Sequence, residues 1–438
     1  SSTSCADYID KMPEAEGYTF DKVFRDSVNY RNYCEYLVIN PFFLYLENGL
    51  KPLGSYDCIT DNSISTALYS GVPSVQAQLG NYYSMRTNGD APMSNNGTWD
   101  QIWKHLRVAN TGIRNINLYP GGETSRNKIL GMCYFYRAFC YMDLVRRWGG
   151  MPYFYAPIPA EEADAVLDFP RLSMQETYKR AAVDCDSAAM YLQNTIPNSE
   201  FQHPTRVAAL ALKSRILLYA ASDLARLENG TGENLWEAAA LAADEAIRVM
   251  ESVGHGLVEW KDYYYIFKGD DENIYTKEVL FGRRANHNWG SDAYTNTGRP
   301  PGQLSGKYGV AVNQLFVDCF EMKGTGLPID DPASQYKEQN PYVGRDPRFD
   351  YNVIYNGQKV MNRTMEIYHL DESKPGVEGS RDLSINNGVP LMGFTQTGYY
   401  AKKWLGSAFN AHLPVLWPYI RTAEIYLSYA EAANEAWN

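Results

Sequence analysis

Apolar and aromatic side chains fall on nearly every helical face of residues 128–150, which read KILGMCYFYRAFCYMDLVRRWGG. A helix that is apolar all round has to be enclosed by other elements. The segment ends at Gly149-Gly150 and is followed by Met151-Pro152, and glycine followed by proline is a common helix exit. The pattern therefore predicts a long helix buried within a helical array.

Helical spacing of apolar positions also precedes this segment, in residues 19–37 and in residues 98–116. In the second of these, one stripe consists of Trp99, Ile102, Trp103, Leu106, Ala109, Ile113 and Ile116. Because Trp99 and Trp103 lie on this stripe, we interpret them as core residues rather than as ligand contacts.

Three further helices have clear start signals or composition. Ser173 and Glu176 form a capping box, in which the hydroxyl and the carboxylate each satisfy an amide of the first turn, and the helix is predicted to run to about Leu192. Thr205 caps an Ala- and Leu-rich helix, and residues 235–251 form an alanine-rich one. Helices that start about thirty residues apart fit tetratricopeptide hairpins as well as a plain bundle, so periodicity leaves both open.

Helical periodicity is absent from about residue 254 to residue 414, where Gly, Pro, Asn, Asp and aromatic residues dominate. This composition predicts loops and short strands. Within it, Asp346 precedes Pro347 and is expected to be extended, while Arg345 and Arg348 are expected to hold the turn by pairing with carboxylates. Helical spacing returns at residues 418–435.

Composition bears mainly on the ligand. The net charge of −11 argues against nucleic acid, because a phosphate backbone needs clustered Lys and Arg. The aromatic content is 14%, with 35 Tyr, and tyrosine combines a stacking face with a hydroxyl. Carbohydrates present an apolar C–H face and a rim of hydroxyls, so they suit such side chains. The length of 438 residues allows one large domain or two fused subregions, of which we favour one packed body.

The sequence contains no recognisable catalytic or metal-binding constellation. A Gly-x-Ser-x-Gly elbow, a His-Glu-x-x-His helix, a phosphate-binding glycine loop and a Cys/His cluster are all absent. Neighbouring acidic pairs such as Asp330-Asp331, Asp270-Asp271 and Glu161-Glu162 are expected to diverge into solvent, whereas glycoside hydrolysis needs two carboxyl groups across a sugar. We therefore expect no catalytic residues, no cofactor and no metal. The seven cysteines include no Cys-x-x-Cys pair, and Cys133 and Cys140 are predicted to pack in the core.

Two loop stretches combine the aromatic, carboxylate, amide and guanidinium groups that a sugar site needs. The first comprises residues 57–62 and 81–86, and the second comprises residues 286–294 with Arg299. The predicted ligand-binding residues are Asp57, Asp61, Asn62, Tyr82, Tyr83, Arg86, Trp289, Tyr294 and Arg299. Trp289 has no apolar neighbour at helical or strand spacing that would make it a core residue.

Several blocks resemble, in the same order, the SusD-like (SusD/RagB) nutrient-binding outer-membrane lipoproteins. The central helix matches the family pattern at Arg137-Ala138, Asp143-Leu144-Val145-Arg146, Trp148-Gly149 and Pro152. Residues 204–220, the turn at 345–348 and residues 418–435 resemble further family blocks. The resemblance implies a mostly α-helical fold, with tetratricopeptide-like hairpins forming a scaffold and a large irregular, loop-rich region packed on it.

The resemblance also implies how the chain is organised. A single SusD-like domain is expected over residues 1–438, with the helical scaffold at about 19–37, 98–252 and 418–438. The loop-rich ligand-binding region is expected at about 38–97 and 254–414. Because family members continue well past the equivalent of the last helix, the C-terminus is expected to be incomplete.

The function implied by the resemblance is non-catalytic binding of oligosaccharides or polysaccharide at the outer-membrane surface of a Bacteroidetes-type cell. Delivery to a SusC-like, TonB-dependent transporter is implied with it. Cys5, which only small residues precede, is the expected lipidation site, and no stretch of about 18 apolar residues could span a membrane. The alternatives are an extracellular helical glycoside hydrolase or lyase, and a family member that captures peptides.

Overall fold

The computed structural model describes residues 20–39, 56–66, 80, 99–158, 169–228, 232–267, 277–285, 301–302, 309–368, 380, 382–383, 385–386, 389–390, 392–403 and 415–437. The α-helices in these ranges are α1 Phe20–Phe24, α2 Ser27–Ile39, α3 Asp100–Arg114, α4 Glu123–Trp148, α5 Met174–Tyr191, α6 Arg206–Ala221, α7 Asp223–Leu227, α8 Trp236–Ser252, α9 Gln314–Asp318, α10 Pro347–Asn352 and α11 Thr422–Trp437. The 3₁₀ helices are Tyr56–Ile59, Ile116–Leu118, Asn198–Glu200 and Trp260–Phe267.

The strands of the described residues are short. They are β1 Ser63–Ser65, β2 Val279–Ala285, β3 Val310–Val312, β4 Val353–Ile354, β5 Lys359–Val360, β6 Arg363–Thr364, β7 Ile385–Asn386, β8 Val389–Pro390, β9 Tyr400–Ala401 and β10 Val415–Arg421. They pair two by two and antiparallel, as β1–β3, β2–β10, β4–β9, β5–β6 and β7–β8. The predicted mostly α-helical fold is therefore confirmed.

The long helices pack side by side in chain order. Helix α2 contacts α3, α3 contacts α4, α4 contacts α5, α5 contacts α6, and α6 contacts α8, against which α11 also packs. Such a row of neighbouring helices fits the tetratricopeptide-like scaffold that was predicted.

Helix α4 is enclosed within this row, between α3 and α5. From Ile129 to Val145, every residue of α4 except Tyr134 is buried, as the apolar pattern predicted. Cys133 and Cys140 are fully buried within it, which confirms that they pack in the core. The helix ends where Gly149 adopts φ 78° and donates its amide to the carbonyl of Val145 (2.8 Å).

Local capping signals were mostly correct. The Ser173 hydroxyl accepts the amide of Glu176 (3.1 Å), and the Thr205 hydroxyl accepts the amide of Ala208 (3.1 Å). The Glu176 carboxylate, however, pairs with Arg180 (2.9 Å) instead of completing the capping box. A cation on the next turn of the same helix competes for the carboxylate, and the ion pair forms here.

Two predicted helices differ in extent from those in the structure. Residues 19–37 form two helices, because the Asp26 carboxylate accepts the amides of Val28 (2.9 Å) and Asn29 (2.8 Å) and starts a new helix. Residues 418–421 belong to strand β10 and not to the last helix. Pro418 cannot donate within a helix, and its segment pairs with β2, so long-range pairing replaces the local helical pattern.

The turn at 345–348 is held differently from the prediction. Asp346 is extended (φ −45°, ψ 131°) and pairs with Arg348 (2.6 Å), as expected. The guanidinium of Arg345 pairs with main-chain oxygens instead of a carboxylate, donating to the carbonyls of Val317 (2.5 Å), Phe320 (2.8 Å) and Pro341 (3.0 Å). Arg345 is buried, so a charged side chain there satisfies carbonyls that the irregular backbone would otherwise leave unpaired.

Candidate functional site

Three of the predicted ligand-binding residues lie together in the short loop before strand β1, whose first part is the 3₁₀ helix Tyr56–Ile59. Asp57, Asp61 and Asn62 have exposed side chains. The main chain of the loop is held by Asn313, whose side-chain amide donates to the Asp61 carbonyl and whose backbone amide donates to the Asn62 carbonyl, both at 2.9 Å. The Thr60 hydroxyl also donates to the Asp57 carbonyl (2.8 Å). The loop is thus fixed through its backbone while its polar side chains face solvent.

The other predicted contacts lie outside the residues that the structure describes. They are Tyr82, Tyr83, Arg86, Trp289, Tyr294 and Arg299, together with the expected lipidation residue Cys5. Trp99 and Trp103, which were interpreted as core residues, do pack against the helical core. Their rings contact each other at 5.5 Å between centroids, and Trp99 contacts Trp148 at 5.0 Å.

A pair of cations lies beside this loop and was not predicted. The ammonium of Lys403 lies 4.6 Å from the ring centroid of Phe267, and the guanidinium of Arg421 lies 5.2 Å from the same centroid. Burial, with a further contribution from Arg421, lowers the pKa of Lys403 to about 8, while Asp57 acts in the opposite direction. Lys403 is therefore electrostatically coupled to the predicted contact Asp57, and no motif in the sequence marks it.

Lys403→Met is expected to raise the free energy of unfolding at pH 7 by about 2 kcal/mol, after a discount for partial exposure. The folded-state pKa of about 8 lies below the ordinary 10.5, so the unfolded chain binds more protons between these values. The penalty is fully present below pH 8 and is lost as the pH rises towards 10.5. Denaturant unfolding at pH 7, 8.5 and 10 measures it.

The matched control for this change is Lys402→Met. The ammonium of Lys402 donates to the carbonyl of Asp350 (2.6 Å), so its loss is expected to be neutral or slightly destabilising at each pH. If Lys403→Met raises the free energy of unfolding by the same amount at all three pH values, the proposed desolvation of the Lys403 ammonium is contradicted.

A group of three aromatic residues lies nearby, in which Trp260 is exposed and Tyr263 and Tyr351 are half-buried. Trp260 and Tyr263 belong to the 3₁₀ helix Trp260–Phe267, and Tyr351 belongs to α10. The Trp260 and Tyr263 rings stack with centroids 5.1 Å apart and planes 18° apart. Tyr263 also contacts Phe267 (5.6 Å), which links this group to Lys403 and Arg421. The spacing of three between Trp260 and Tyr263, which matches a 3₁₀ turn, is the sequence signal that could have identified the pair.

A cleft of about 790 Å³ lies elsewhere, on the scaffold, between α2, the start of α4 and the connection from α5 to α6. Its acidic groups are paired, Glu35 with His203 (3.0 Å) and Glu200 with Lys128 (2.7 Å). None of the predicted contacts lines this cleft.

The described ranges offer neither a metal-binding cluster nor a membrane-spanning helix. There, no group of three or more His, Cys, Asp or Glu side chains could hold a metal ion. In the same part of the chain, no helix combines the length and the apolar character needed to cross a bilayer. Of the adjacent acidic pairs, Asp330-Asp331 lies in the described part, and the Asp331 carboxylate accepts the amide of Ala333 (2.7 Å) within a turn.

Both halves of the chain match established families. Residues 46–218 match the family described as "Starch-binding associating with outer membrane", of the SusD-like type. Residues 277–438 match the family described as "SusD family". The first match covers α3, α4 and α5, and the second covers the β2–β10 pair and α11.

Individual proteins give a consistent picture. "SusD-like protein P2" from Formosa agariphila is 30% identical over 135 residues, covering 30% of this chain and 25% of that protein, so the alignment spans a quarter of that relative's length. A SusD-like protein from Bacteroides fragilis has a TM-score of 0.68 at 22% identity, covering 95% of this chain and 77% of that one. A "SusD-like carbohydrate binding protein" from the same organism has a TM-score of 0.68 at 19% identity, covering 94% and 75%. The two family matches agree with the shared fold and with the resemblance of the central helix. This chain belongs to the SusD-like family.

Proposed function

We propose that this protein binds oligosaccharides or polysaccharide at the cell surface without catalysis, and delivers them to a SusC-like, TonB-dependent outer-membrane transporter. The observation that carries the proposal is the loop of Asp57, Asp61 and Asn62, in which a fixed backbone presents carboxylate and amide groups to solvent. Support comes from the family, described as starch-binding and associating with the outer membrane, and from a structural relative described as carbohydrate binding.

The chemistry of the loop suits sugar hydroxyls. Carboxylates accept hydrogen bonds from hydroxyl groups, and the Asn62 amide can both donate and accept. Because Asn313 already holds the backbone of the loop, little conformational entropy is lost when a ligand binds. We propose that the remaining contacts are the stacking and polar side chains of Tyr82, Tyr83, Arg86, Trp289, Tyr294 and Arg299.

Asp61→Ala combined with Asn62→Ala is expected to weaken glycan binding about tenfold or more, through loss of hydrogen bonds worth roughly 1 kcal/mol each. Both side chains are exposed, so the melting temperature should stay nearly unchanged. Affinity electrophoresis against a polysaccharide panel, followed by calorimetry on the best ligand, measures the effect. The control is Asp223→Ala, which removes an exposed carboxylate on the scaffold helix α7 and should leave binding intact.

The same panel separates the proposed function from its alternatives. Retarded migration without new reducing ends indicates binding, whereas release of products indicates a glycoside hydrolase or lyase. Binding of peptides with no response to any glycan would assign a peptide cargo to the protein.

The transporter and the anchor need separate tests in a natural host. Co-purification with a large TonB-dependent β-barrel from membrane extract is expected, and a solitary soluble protein would count against delivery. Cys5→Ala, expressed behind a native signal peptide, is expected to release the protein from membranes. Retention after this change would indicate attachment through the transporter alone.

A further inference from the structure

We propose a second glycan contact at the Trp260 platform, defined as Trp260, Tyr263 and Tyr351, where the indole of Trp260 stacks against a pyranose ring of a bound glycan. The platform is separate from the loop of Asp57, Asp61 and Asn62, and it would add a stacking contact to the polar contacts of that loop. This inference rests on the proposed function, since it names a further surface for the same class of ligand.

The local geometry explains why the rings form a platform. In a 3₁₀ helix, residues three apart lie directly above one another. Trp260 and Tyr263 accordingly stack, with centroids 5.1 Å apart. Tyr351 closes the group from α10, meeting Trp260 edge-on at 5.2 Å and 84° and Tyr263 at 5.9 Å and 71°. The indole of Trp260 is therefore held by two neighbouring rings, one parallel to it and one nearly perpendicular.

Part of the Trp260 side chain remains open to solvent beside these two rings. The residue is 42% exposed although Tyr263 and Tyr351 pack against it. Single exposed apolar side chains are common on protein surfaces, so the clustering of three rings, and not exposure alone, marks this surface. A ring whose orientation is fixed before binding loses little entropy on stacking, which favours its use as a contact surface.

The platform is held rigidly from the side of α10. The Asp346 carboxylate caps this helix by accepting the amide of Arg348 (2.8 Å), and Asp346 also pairs with the Arg348 guanidinium (2.6 Å). The side chain of Asn352 donates to the Arg348 carbonyl (2.7 Å). These bonds fix the position of α10, which carries Tyr351. The contact between Tyr351 and Trp260 is therefore positioned by the turn at 345–348.

Polar groups at the rim identify a sugar as the fitting ligand. The Arg348 side chain is 58% exposed, although its guanidinium is already ion-paired, and it can still donate to a hydroxyl. Glu259 and Lys261 flank Trp260 in the chain and are exposed. An apolar ring face with donors and acceptors around it matches the C–H face and hydroxyl rim of a pyranose.

The test compares Trp260→Ala, Trp260→Phe and Trp437→Ala by calorimetry with the polysaccharide that wild-type protein binds best. Trp260→Ala is expected to weaken binding about tenfold, equivalent to about 1.4 kcal/mol. Trp260→Phe should retain part of the affinity, because phenylalanine keeps a smaller stacking face. Trp437, on α11, is 54% exposed and shares no element with the platform, so Trp437→Ala should leave binding unchanged.

The outcomes distinguish this inference from the proposed function. If Trp260→Ala binds the glycan as tightly as the wild type and melts at the same temperature, the glycan contact at Trp260 is refuted. The proposed function is unaffected by that result. Absence of glycan binding by the wild type overturns both. Unchanged glycan binding together with loss of transporter association in Trp260→Ala would reassign the surface to a protein partner. If Trp260→Ala does not fold, Trp260→Phe provides the test. A partial loss of glycan affinity in Trp260→Phe supports the contact, and an unchanged affinity refutes it.

Discussion

Arg137→Met is expected to lower the free energy of unfolding by about 3–5 kcal/mol, because it leaves the carboxylate of Asp184 buried without its cation. The two side chains form a bidentate pair with distances of 2.6 and 2.5 Å and are almost inaccessible to solvent. The Tyr153 hydroxyl donates to the same carboxylate (2.5 Å), and the side-chain Oδ1 of Asn110 accepts from Arg137 (2.9 Å). The pair therefore joins α3, α4, α5 and the segment after α4.

Denaturant unfolding of the purified variants measures this loss. Arg180→Met is the control, because Arg180 pairs with Glu176 near the surface and such pairs contribute less than about 1 kcal/mol. Arg137→Met combined with Asp184→Asn should recover part of the stability, since the uncompensated charge is then removed. A loss below that of the control would show that Asp184 finds solvent or another cation in the variant.

Gly150→Ala is expected to cost about 3 kcal/mol or to prevent folding, because an added methyl group would overlap main-chain atoms. A Cβ at this position would lie 1.9 Å from the Leu172 carbonyl oxygen and 2.6 Å from the carbonyl carbon of Ser173. Both atoms belong to the backbone leading into α5, where Ser173 caps the helix and Arg171 donates to the Gly150 carbonyl (2.7 Å). Neither can move without disturbing the contact between α4 and α5.

The matched control is Gly324→Ala. Gly324 lies in a turn with open space around its Cβ direction and without a left-handed φ, so alanine should change stability by only a few tenths of a kcal/mol. Thermal unfolding of the two variants gives the comparison. Equal melting temperatures would mean that the backbone before α5 can shift to admit the methyl group.

Most helices could be predicted from the sequence because their signals are local. Ser173 and Thr205 cap their helices through contacts within three residues. Helix α4 has apolar residues on nearly every face, and this pattern predicts its burial by neighbouring helices. Strand β10 could not be predicted from such signals. Its partner β2 lies far away in the sequence, and the pairing of Pro418 with Gly282 overrides a pattern that is locally helical.

The candidate site was predicted only in part, for a related reason. Asp57, Asp61 and Asn62 could be selected because polar residues of a loop commonly face solvent, and their side chains do. Lys403 was missed because its lowered pKa arises from burial and from Arg421, which no local motif encodes. Arg345 was assigned to carboxylates because residue type favours that pairing, whereas folding placed main-chain carbonyls around it.

The sequence by itself determined the helical scaffold, the buried central helix and the family, since periodicity, caps and ordered motifs all act over a few residues at a time. Only the tertiary structure decided which helices pack together, which distant segments become strand partners, and that Asn313 fixes the polar loop. It also brought Tyr351 to the edge of Trp260. These features depend on contacts between residues remote in the chain, where the free energy of packing and pairing outweighs local preference.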